Sequence, residues 1–297
     1  MKETDMVQFA EAVKKGIQER LGEGYTTSFT EVEKNNGVKL PAICIHRDGS
    51  NTSAAVYIEE YLALYKEGMG LGDIADRIVK RFRETADMDI ETGQICDYEK
   101  VKEMLMVKVV NTEKNRSFLK QAPHEEFLNL SAVPVIRLLD AKGYGTITVK
   151  QSLAGFWGVT EEELLTQAKA NTQKIEPYEL YSMEEFVEEF HLQEEVTGET
   201  NLPMLILTNK AAHLGAAAVL CADALEEAWE KFGKKDFYVL PSSVHEVIFM
   251  PADCGMTAGE IRDIVRSVNR TEVDEKEFLS DDIYVYRGEC GKLEMVK

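Results

Sequence analysis

The chain has 297 residues, of which 44% are hydrophobic and 29% charged, and its formal net charge at pH 7 is −19. This composition is typical of one large or two ordinary globular domains, and it excludes a fibrous or fully disordered protein. A strongly negative surface repels phosphate backbones and acidic lipids, so we expect direct binding neither to nucleic acids nor to membranes.

The first half of the chain predicts mainly helices, with one hairpin near the N-terminus. Residues 26–34 and 38–46 predict two strands joined by a turn at residues 35–37, Asn-Asn-Gly. Apolar spacing and capping residues predict four helices. These predicted helices cover residues 6–17, 53–66, 73–85 and 97–106. A glycine-rich break at residues 68–72 separates the second from the third, and residues 87–97 predict a loop.

The second half alternates strands and helices. The predicted strands cover residues 132–139, 146–151, 202–208, 214–220, 237–240, 244–250 and 283–286. The predicted helices cover residues 161–173, 183–191, 223–232 and 257–268. Two of these helices follow capping boxes, Thr160 with Glu163 and Ser182 with Glu185. Residues 214–220, LGAAAVL, also fit the start of the next helix, and we favour the strand because residues 209–213 make a plausible turn.

These elements predict the α+β class, with antiparallel sheets built from β-hairpins and helices packed on one face, because short turns imply antiparallel pairing. Interrupted periodicity at residues 120–126 predicts a boundary between a helix-rich α+β region, residues 1–122, and a C-terminal α+β domain, residues 123–297. The five cysteines are irregularly spaced and lack a C-x-x-C pair, which argues against a disulfide framework and favours a reducing cytoplasm. The N-terminal segment lacks the apolar core of a signal peptide.

Residues 236–251, DFYVLPSSVHEVIFMP, combine two strand-like runs with a Pro-Ser-Ser turn and a His-Glu pair. We predict Ser242, Ser243 and His245 as candidate catalytic residues of a hydrolase-like enzyme, completed by a carboxylate from elsewhere. Strand alternation would point His245 and Glu246 to opposite faces. The G-x-S-x-G motif of many hydrolases is absent. The alternative is a turn stabilised by serine hydroxyls, with a histidine in the core.

No motif in the sequence predicts a metal or a cofactor. The five histidines are scattered without the H-x-H or H-E-x-x-H spacing of metal ligands. The glycine-rich break at residues 68–72 matches no phosphate-binding loop and follows a helix where a strand is required. It is interpreted as a helix end and linker.

An acidic segment lies between Lys174 and Lys210, where nine glutamates occur without a lysine or arginine. The predicted helix at residues 183–191 carries the candidate partner-binding residues, which are Glu184, Glu185, Phe186, Glu188 and Glu189. Such a face predicts a protein partner with a basic surface. The alternatives are a solvated helix face and, as a minor hypothesis, an acidic inhibitor that mimics nucleic acid.

Several longer runs resemble an uncharacterised family of gut Firmicutes proteins, known only as a domain of unknown function. These runs are MVQFAEAVKKGI at residues 6–17, NLSAVPVIRLLD at 129–140, LPMLILTNKAAHLGAA at 202–217, LPSSVHEVIFMP at 240–251 and SDDIYVYRG at 280–288. The resemblance covers most of the chain and implies a bacterial cytoplasmic protein. It carries over no catalytic residue. Because catalytic motifs are missing, an acidic patch is present and the composition is ordinary, our leading hypothesis is a cytoplasmic binding or interaction protein.

Overall fold

The structure, a computed structural model, describes residues 3–50, 53–85, 95–140, 143–192 and 203–296. The chain divides into two compact units, residues 1–95 with 139–144 and residues 96–138 with 145–297. Helices and antiparallel sheets occur along the whole chain, which confirms the predicted α+β class. The predicted boundary at residues 120–126 lies inside the second unit. That residues 1–122 fold by themselves stays a prediction.

The first unit packs helices against a three-stranded sheet. Its elements are α1 (Glu3–Leu21), β1 (Tyr25–Glu33), β2 (Lys39–Arg47), β3 (Ser53–Tyr57), α2 (Glu59–Lys66) and α3 (Leu71–Thr85). The strand order is β1-β2-β3, and the predicted hairpin of β1 and β2 is confirmed. The core joins Phe9 and Val13 of α1 to Ile74 and Ile78 of α3, all buried.

The segment Ser53–Tyr57 is a strand, so the prediction of a helix from residue 53 was wrong. Strand β3 pairs antiparallel with β2, where Ile43 lies opposite Val56, and the helix begins only at Glu59. Ile43 and Val56 are buried in the core of this unit. Tertiary pairing therefore overrides the local helical spacing. Residues 87–94 of the predicted loop lie outside the described residues.

The rest of the chain forms two further sheets and seven described α-helices. The helices are α4 (Tyr98–Val101), α5 (Arg116–Leu119), α6 (Gln151–Trp157), α7 (Glu161–Ile175), α8 (Met183–Glu189), α9 (Ala222–Lys231) and α10 (Ala258–Glu272). The strands are β4 (Leu105–Asn111), β5 (Glu125–Phe127), β6 (Leu130–Asp140), β7 (Gly143–Thr148), β8 (Tyr178–Ser182), β9 (Leu205–Asn209), β10 (Phe237–Leu240), β11 (Val247–Pro251), β12 (Tyr284–Arg287) and β13 (Lys292–Met295). Short 3₁₀ helices cover Lys102–Met104 and Gly215–Leu220.

In the smaller of these sheets, strand β6 pairs with all three other strands, β4, β5 and β7. The larger sheet has six strands in the order β13-β12-β10-β11-β9-β8, with every neighbouring pair antiparallel. The predicted hairpins at residues 132–151 and 237–250 are confirmed as β6 with β7 and β10 with β11. Strands β5, β8 and β13 are three to five residues long, and the sequence prediction missed them.

Both faces of the six-stranded sheet are covered. On one face, Ile261 and Val265 of α10 pack in one core cluster with Leu240 and Met250 of the sheet. On the other face, the ring of Phe237 contacts Phe232, the residue that follows α9. Alternation along the strands explains why neighbouring residues serve opposite faces.

Residues 215–220 form a 3₁₀ helix, so the prediction of a strand at residues 214–220 was wrong. Strand β9 takes β8 and β11 as its neighbours instead. Gly215 packs so closely that an added Cβ would lie 2.3 Å from Thr208 Oγ1 and 2.6 Å from the carbonyl oxygen of His245. The small side chains of this segment therefore allow its backbone to lie very close to the sheet. Pairing as a further strand would not require such a close contact.

Three of the helices that the structure describes begin with a capping box. The two predicted boxes, Thr160 with Glu163 and Ser182 with Glu185, are confirmed, and Thr257 with Glu260 forms a third. In each box the hydroxyl accepts from the amide of the glutamate, whose carboxylate accepts from the capping residue's amide. The Ser182 box fixes the direction in which α8 leaves strand β8.

Candidate functional site

The predicted catalytic residues lie between β10 and β11, where the chain turns at one end of the six-stranded sheet. Ser243 forms an isolated antiparallel bridge with Phe278. The amide of Leu279 donates to the carbonyl oxygen of Ser242 over 2.8 Å, and the amide of Val244 donates to that of Glu277 over 2.8 Å. These backbone hydrogen bonds hold residues 277–279, which precede β12, against the turn and bring Glu277 beside His245.

Two neighbours contact the imidazole of His245, and a third holds its backbone. Its Nδ1 accepts a hydrogen bond from the amide of Leu214 over 3.2 Å, and its Nε2 lies 3.8 Å from Oε1 of Glu277. Its carbonyl oxygen accepts from the hydroxyl of Thr208 over 2.8 Å. An amide can only donate, so Nδ1 carries no proton in this arrangement and the neutral ring bears its hydrogen on Nε2, facing Glu277.

The hydroxyl of Ser243 serves the turn. Ser243 is 5% exposed, and its Oγ accepts from the amide of His245 over 3.0 Å. The same side chain hydrogen-bonds the carboxylate of Glu246, which pulls the pKa of that carboxyl downward. Ser242 is half-buried, and its carbonyl oxygen accepts from Leu279. The hydroxyl of Ser243 is therefore bonded to the backbone of His245. The ring nitrogen Nδ1 of His245 accepts instead from the amide of Leu214.

His213 comes close to His245 from a separate loop. The two ring centroids lie 5.1 Å apart with the planes tilted by 42°. Burial lowers the pKa of His213, a positive charge on the neighbouring His245 ring would lower it further, and the carboxylate of Glu277 opposes both effects. Near neutral pH, therefore, His213 is held in its uncharged form.

The loop that presents His213 is held by Asn209, which is almost fully buried. Its side-chain oxygen accepts from the amides of Ala211 and His213, and its Nδ2 donates to the carbonyl oxygen of His213 over 2.8 Å. Ala212 and Leu214, on either side of His213, have φ of 45° and 54°. A side chain in this left-handed region costs of order 1 kcal/mol, so the surrounding bonds hold a strained loop in place.

Glu246 is the second carboxylate of this region. Burial raises its pKa, a positive charge on the His245 ring would oppose that shift, the Ser243 hydrogen bond also opposes it, and the negative charge of Glu277 adds to it. We call His213, Ser243, His245, Glu246 and Glu277 the histidine cluster. Imidazoles and carboxylates in one partly buried place can exchange protons.

Of the histidine cluster, sequence reasoning found Ser243 and His245 and considered Glu246 only as pointing away. It missed His213 and Glu277. The turn signal at residues 209–213 indicated a tight loop, but the approach of that loop to residue 245 depends on how the strands are ordered. Glu277 lies in an irregular segment that carries no motif.

The pH dependence of stability tests the environment of His213. Because its pKa is lowered in the folded protein, the unfolded chain takes up a proton first, and stability falls as pH drops below the ordinary histidine pKa of about 6.5. We expect His213→Gln to lose less thermal stability than the wild type between about pH 7.5 and pH 5.5. Melting temperatures of both proteins across that range measure it. Parallel curves would contradict the placement of His213.

Glu246 offers the matched comparison, because its raised pKa has the opposite consequence. A buried carboxyl with a raised pKa stabilises the fold while it is protonated, and this contribution disappears as pH rises through its folded pKa. Glu246→Gln should therefore gain stability relative to the wild type as pH rises, whereas His213→Gln gains as pH falls.

Helix α8 carries the predicted partner-binding residues. Glu184, Glu185, Glu188 and Glu189 are exposed, and none of the seven residues of this helix is buried. Phe186 is half-exposed, and its ring centroid lies 4.7 Å from that of Phe190. Both rings make edge contacts with Tyr181 of strand β8. We call Tyr181, Phe190 and the five predicted residues the acidic–aromatic surface.

Within the described ranges, no group of three or more histidine, cysteine, aspartate or glutamate side chains is placed to hold a metal ion. No described helix combines the length and the apolar character needed to span a bilayer. All five cysteines are free thiols.

Comparison with known proteins identifies the family of this chain. A family model described as a family of unknown function (DUF5688) matches residues 6–288, and the chain belongs to that family. Neither the curated proteins nor the solved structures contain a match. The predicted resemblance to a domain of unknown function is thereby confirmed.

Proposed function

We propose that this member of the DUF5688 family is a binding protein that docks a basic, partly apolar segment of a partner protein on the acidic–aromatic surface. The observation that carries the proposal is a helix with no buried residue, on which exposed carboxylates adjoin a half-exposed aromatic cluster. We also propose a bacterial cytoplasm as its location, which the scattered free thiols support.

The chemistry of the surface favours a partner segment of mixed character. Carboxylates attract lysine and arginine over a distance and steer their approach, and the net charge of −19 extends this attraction. The rings of Phe186 and Phe190 add apolar area that a purely polar segment would not use. Glu185 also accepts from the amide of Ser182 over 2.7 Å, so part of its charge stabilises the helix start.

A designed peptide that alternates arginine with leucine tests this proposal, with binding followed by fluorescence anisotropy. We expect Glu184→Gln with Glu188→Gln to weaken binding by about tenfold, since exposed ion pairs contribute up to about 1 kcal/mol each and about 1.4 kcal/mol corresponds to a factor of ten. Phe186→Ala should weaken binding without changing its salt dependence. An all-arginine peptide should bind less tightly than the mixed one.

The matched control removes the same charge from another exposed helix. Glu226 and Glu230 of α9 are exposed and stand four residues apart, as Glu184 and Glu188 do. The double variant Glu226→Gln with Glu230→Gln should bind the peptide as the wild type does. Equal losses in both double variants would show attraction to net charge alone and would overturn the proposal.

The hydrolase alternative with Ser242, Ser243 and His245 stays a proposal with less support. A serine that loses its proton to His245 needs a free ring nitrogen, while Nδ1 accepts from Leu214 and Nε2 carries the hydrogen. The nucleic-acid mimic also stays a proposal, and competition tells it apart: a mimic would release DNA from a basic DNA-binding partner.

A further inference from the structure

Helix α10 exposes a pair of aliphatic side chains to solvent. Ile261 and Val265 pack into the core beside the six-stranded sheet, so the opposite side of this helix faces outward. On that side Ile264 and Val268 are 51% and 43% exposed, and they stand four residues apart. Covering this pair with another molecule would remove apolar surface from water, which is favourable.

Two arginines form a second stripe on the exposed side of α10. Arg266 and Arg270 are exposed and stand four residues apart, so their side chains leave the helix in similar directions. Among the residues that the structure describes, no ion-pair partner accompanies either guanidinium. With about 3.6 residues per turn, Ser267 lies between the arginine stripe and the aliphatic stripe. We call Ile264, Arg266, Val268 and Arg270 the arginine–aliphatic face.

The acidic residues of α10 lie outside the segment that carries the two stripes. Ile264–Thr271 contains two arginines and no aspartate or glutamate. Glu260 and Asp263 stand in the first two turns, and Glu272 is the last residue of the helix. The carboxylate of Glu260 is engaged in the capping box with Thr257. Positive charge is thus concentrated in the second half of α10, in a chain whose net charge is −19.

We infer that the arginine–aliphatic face of one molecule is bound by the acidic–aromatic surface of a second copy of the same chain. Both surfaces are exposed to solvent within one chain, so the contact joins two molecules. The inference rests on the proposed function, because it names the basic, partly apolar segment that the acidic–aromatic surface docks.

The two surfaces match in charge, in apolar content and in spacing. Glu184 and Glu188 are exposed and stand four residues apart. The two arginines have the same spacing, and four residues of an α-helix rise about 6 Å, so two carboxylates can pair with two guanidiniums in one register. The aromatic rings beside the glutamates would at the same time cover the aliphatic stripe. A contact of this small size forms a weak and reversible complex.

The overall charge of the chain sets the conditions under which this contact forms. Two copies with a net charge of −19 each repel one another at low salt. At physiological ionic strength the Debye length is about 8 Å, so distant charges are largely screened while directly paired charges still attract. Self-association is therefore measured at physiological salt and high micromolar protein.

Reversal of charge on each surface, followed by sedimentation equilibrium, tests the inference. The wild type should self-associate. Glu184→Lys with Glu188→Lys should weaken the association by about tenfold or more, because attraction becomes repulsion. Arg266→Glu with Arg270→Glu should have the same effect. An equimolar mixture of the two double variants should associate again, since each reversed surface complements the other, and this recovery also shows that both variants are folded.

Arg77→Glu with Lys80→Glu is the matched control, since both residues are exposed on α3 and the net charge changes by the same amount as in the arginine double variant. This control should associate as the wild type does. A monomeric wild type, equal weakening by the control, or a mixture that stays monomeric would each overturn the inference.

The arginine–leucine peptide separates this inference from the proposed function. If the peptide binds the acidic–aromatic surface while the wild type stays monomeric, the inference is wrong and the proposed function stands with a different partner. If the wild type is monomeric and the peptide also fails to bind, both are wrong.

Discussion

Gly215→Ala is expected to lower the free energy of unfolding by at least about 3 kcal/mol, at the upper end of what overpacking costs. The new methyl group would lie 2.3 Å from Thr208 Oγ1, 2.6 Å from the carbonyl oxygen of His245 and 2.7 Å from the amide nitrogen of Asn209. Two of these three atoms belong to the backbone and cannot rotate away. The 3₁₀ helix must therefore move off the sheet.

The same substitution should disturb the histidine cluster. Thr208 donates to the carbonyl oxygen of His245, and Asn209 holds the loop of His213, so all three contacts of the added methyl involve residues that position the two rings. Urea denaturation measures the loss of stability, and imidazole NMR signals measure the displacement of the rings. A variant with wild-type stability and unshifted histidine signals would contradict the packing described for Gly215.

Gly155→Ala is the matched control within helix α6. An added Cβ at Gly155 has no heavy atom within 4 Å, other than its chain neighbours and its own helix, and alanine has a higher helix propensity than glycine. We therefore expect this variant to be more stable than the wild type by up to about 1 kcal/mol. Comparing Gly215→Ala with Gly155→Ala therefore separates the cost of a close packing contact from the gain in helix propensity.

The elements predicted well from the sequence are those whose signals are local. The hairpin of β1 and β2 follows from an Asn-Asn-Gly turn between alternating residues, and Asn36 indeed has a φ of 62°. The capping boxes at Thr160 and Ser182 are likewise contained within four residues. In such segments the chain's own neighbours decide the conformation.

The wrong predictions concern segments whose conformation is decided by distant neighbours. Residues 53–57 have a helical spacing, yet β2 offers an edge that they pair with. Residues 214–220 are small and apolar, a pattern without a period, and the close approach of Gly215 to β9 decides their shape. At these positions, therefore, the strand propensity of the residues does little to predict their conformation.

The candidate site shows the same division. The turn with Ser243 and His245 was predicted, because proline and serine mark it locally. The groups that determine the state of the His245 ring, the amide of Leu214 and the carboxylate of Glu277, arrive from other parts of the chain. Only the order of strands in the sheet brings these three segments together.

Glu176→Ala is expected to lower the free energy of unfolding by about 3–5 kcal/mol, which is typical when one member of a buried ion pair is removed. Glu176 is 8% exposed and forms an ion pair with Arg137 of strand β6. Without the carboxylate, the guanidinium of Arg137, whose side chain is 20% exposed, keeps its desolvation cost and loses this ion pair. Urea denaturation of the variant at neutral pH measures the loss.

An exposed ion pair provides the control for Glu176. Glu125 lies 2.5 Å from the ammonium of Lys169, and more than half of its side chain is exposed. Surface pairs contribute up to about 1 kcal/mol, so Glu125→Ala should have a small effect. The double variant Glu176→Leu with Arg137→Met should recover most of the stability lost by Glu176→Ala, because it removes both buried charges. If Glu176→Ala and Glu125→Ala cost the same, the Glu176–Arg137 pair behaves as a surface contact and its burial does not govern stability.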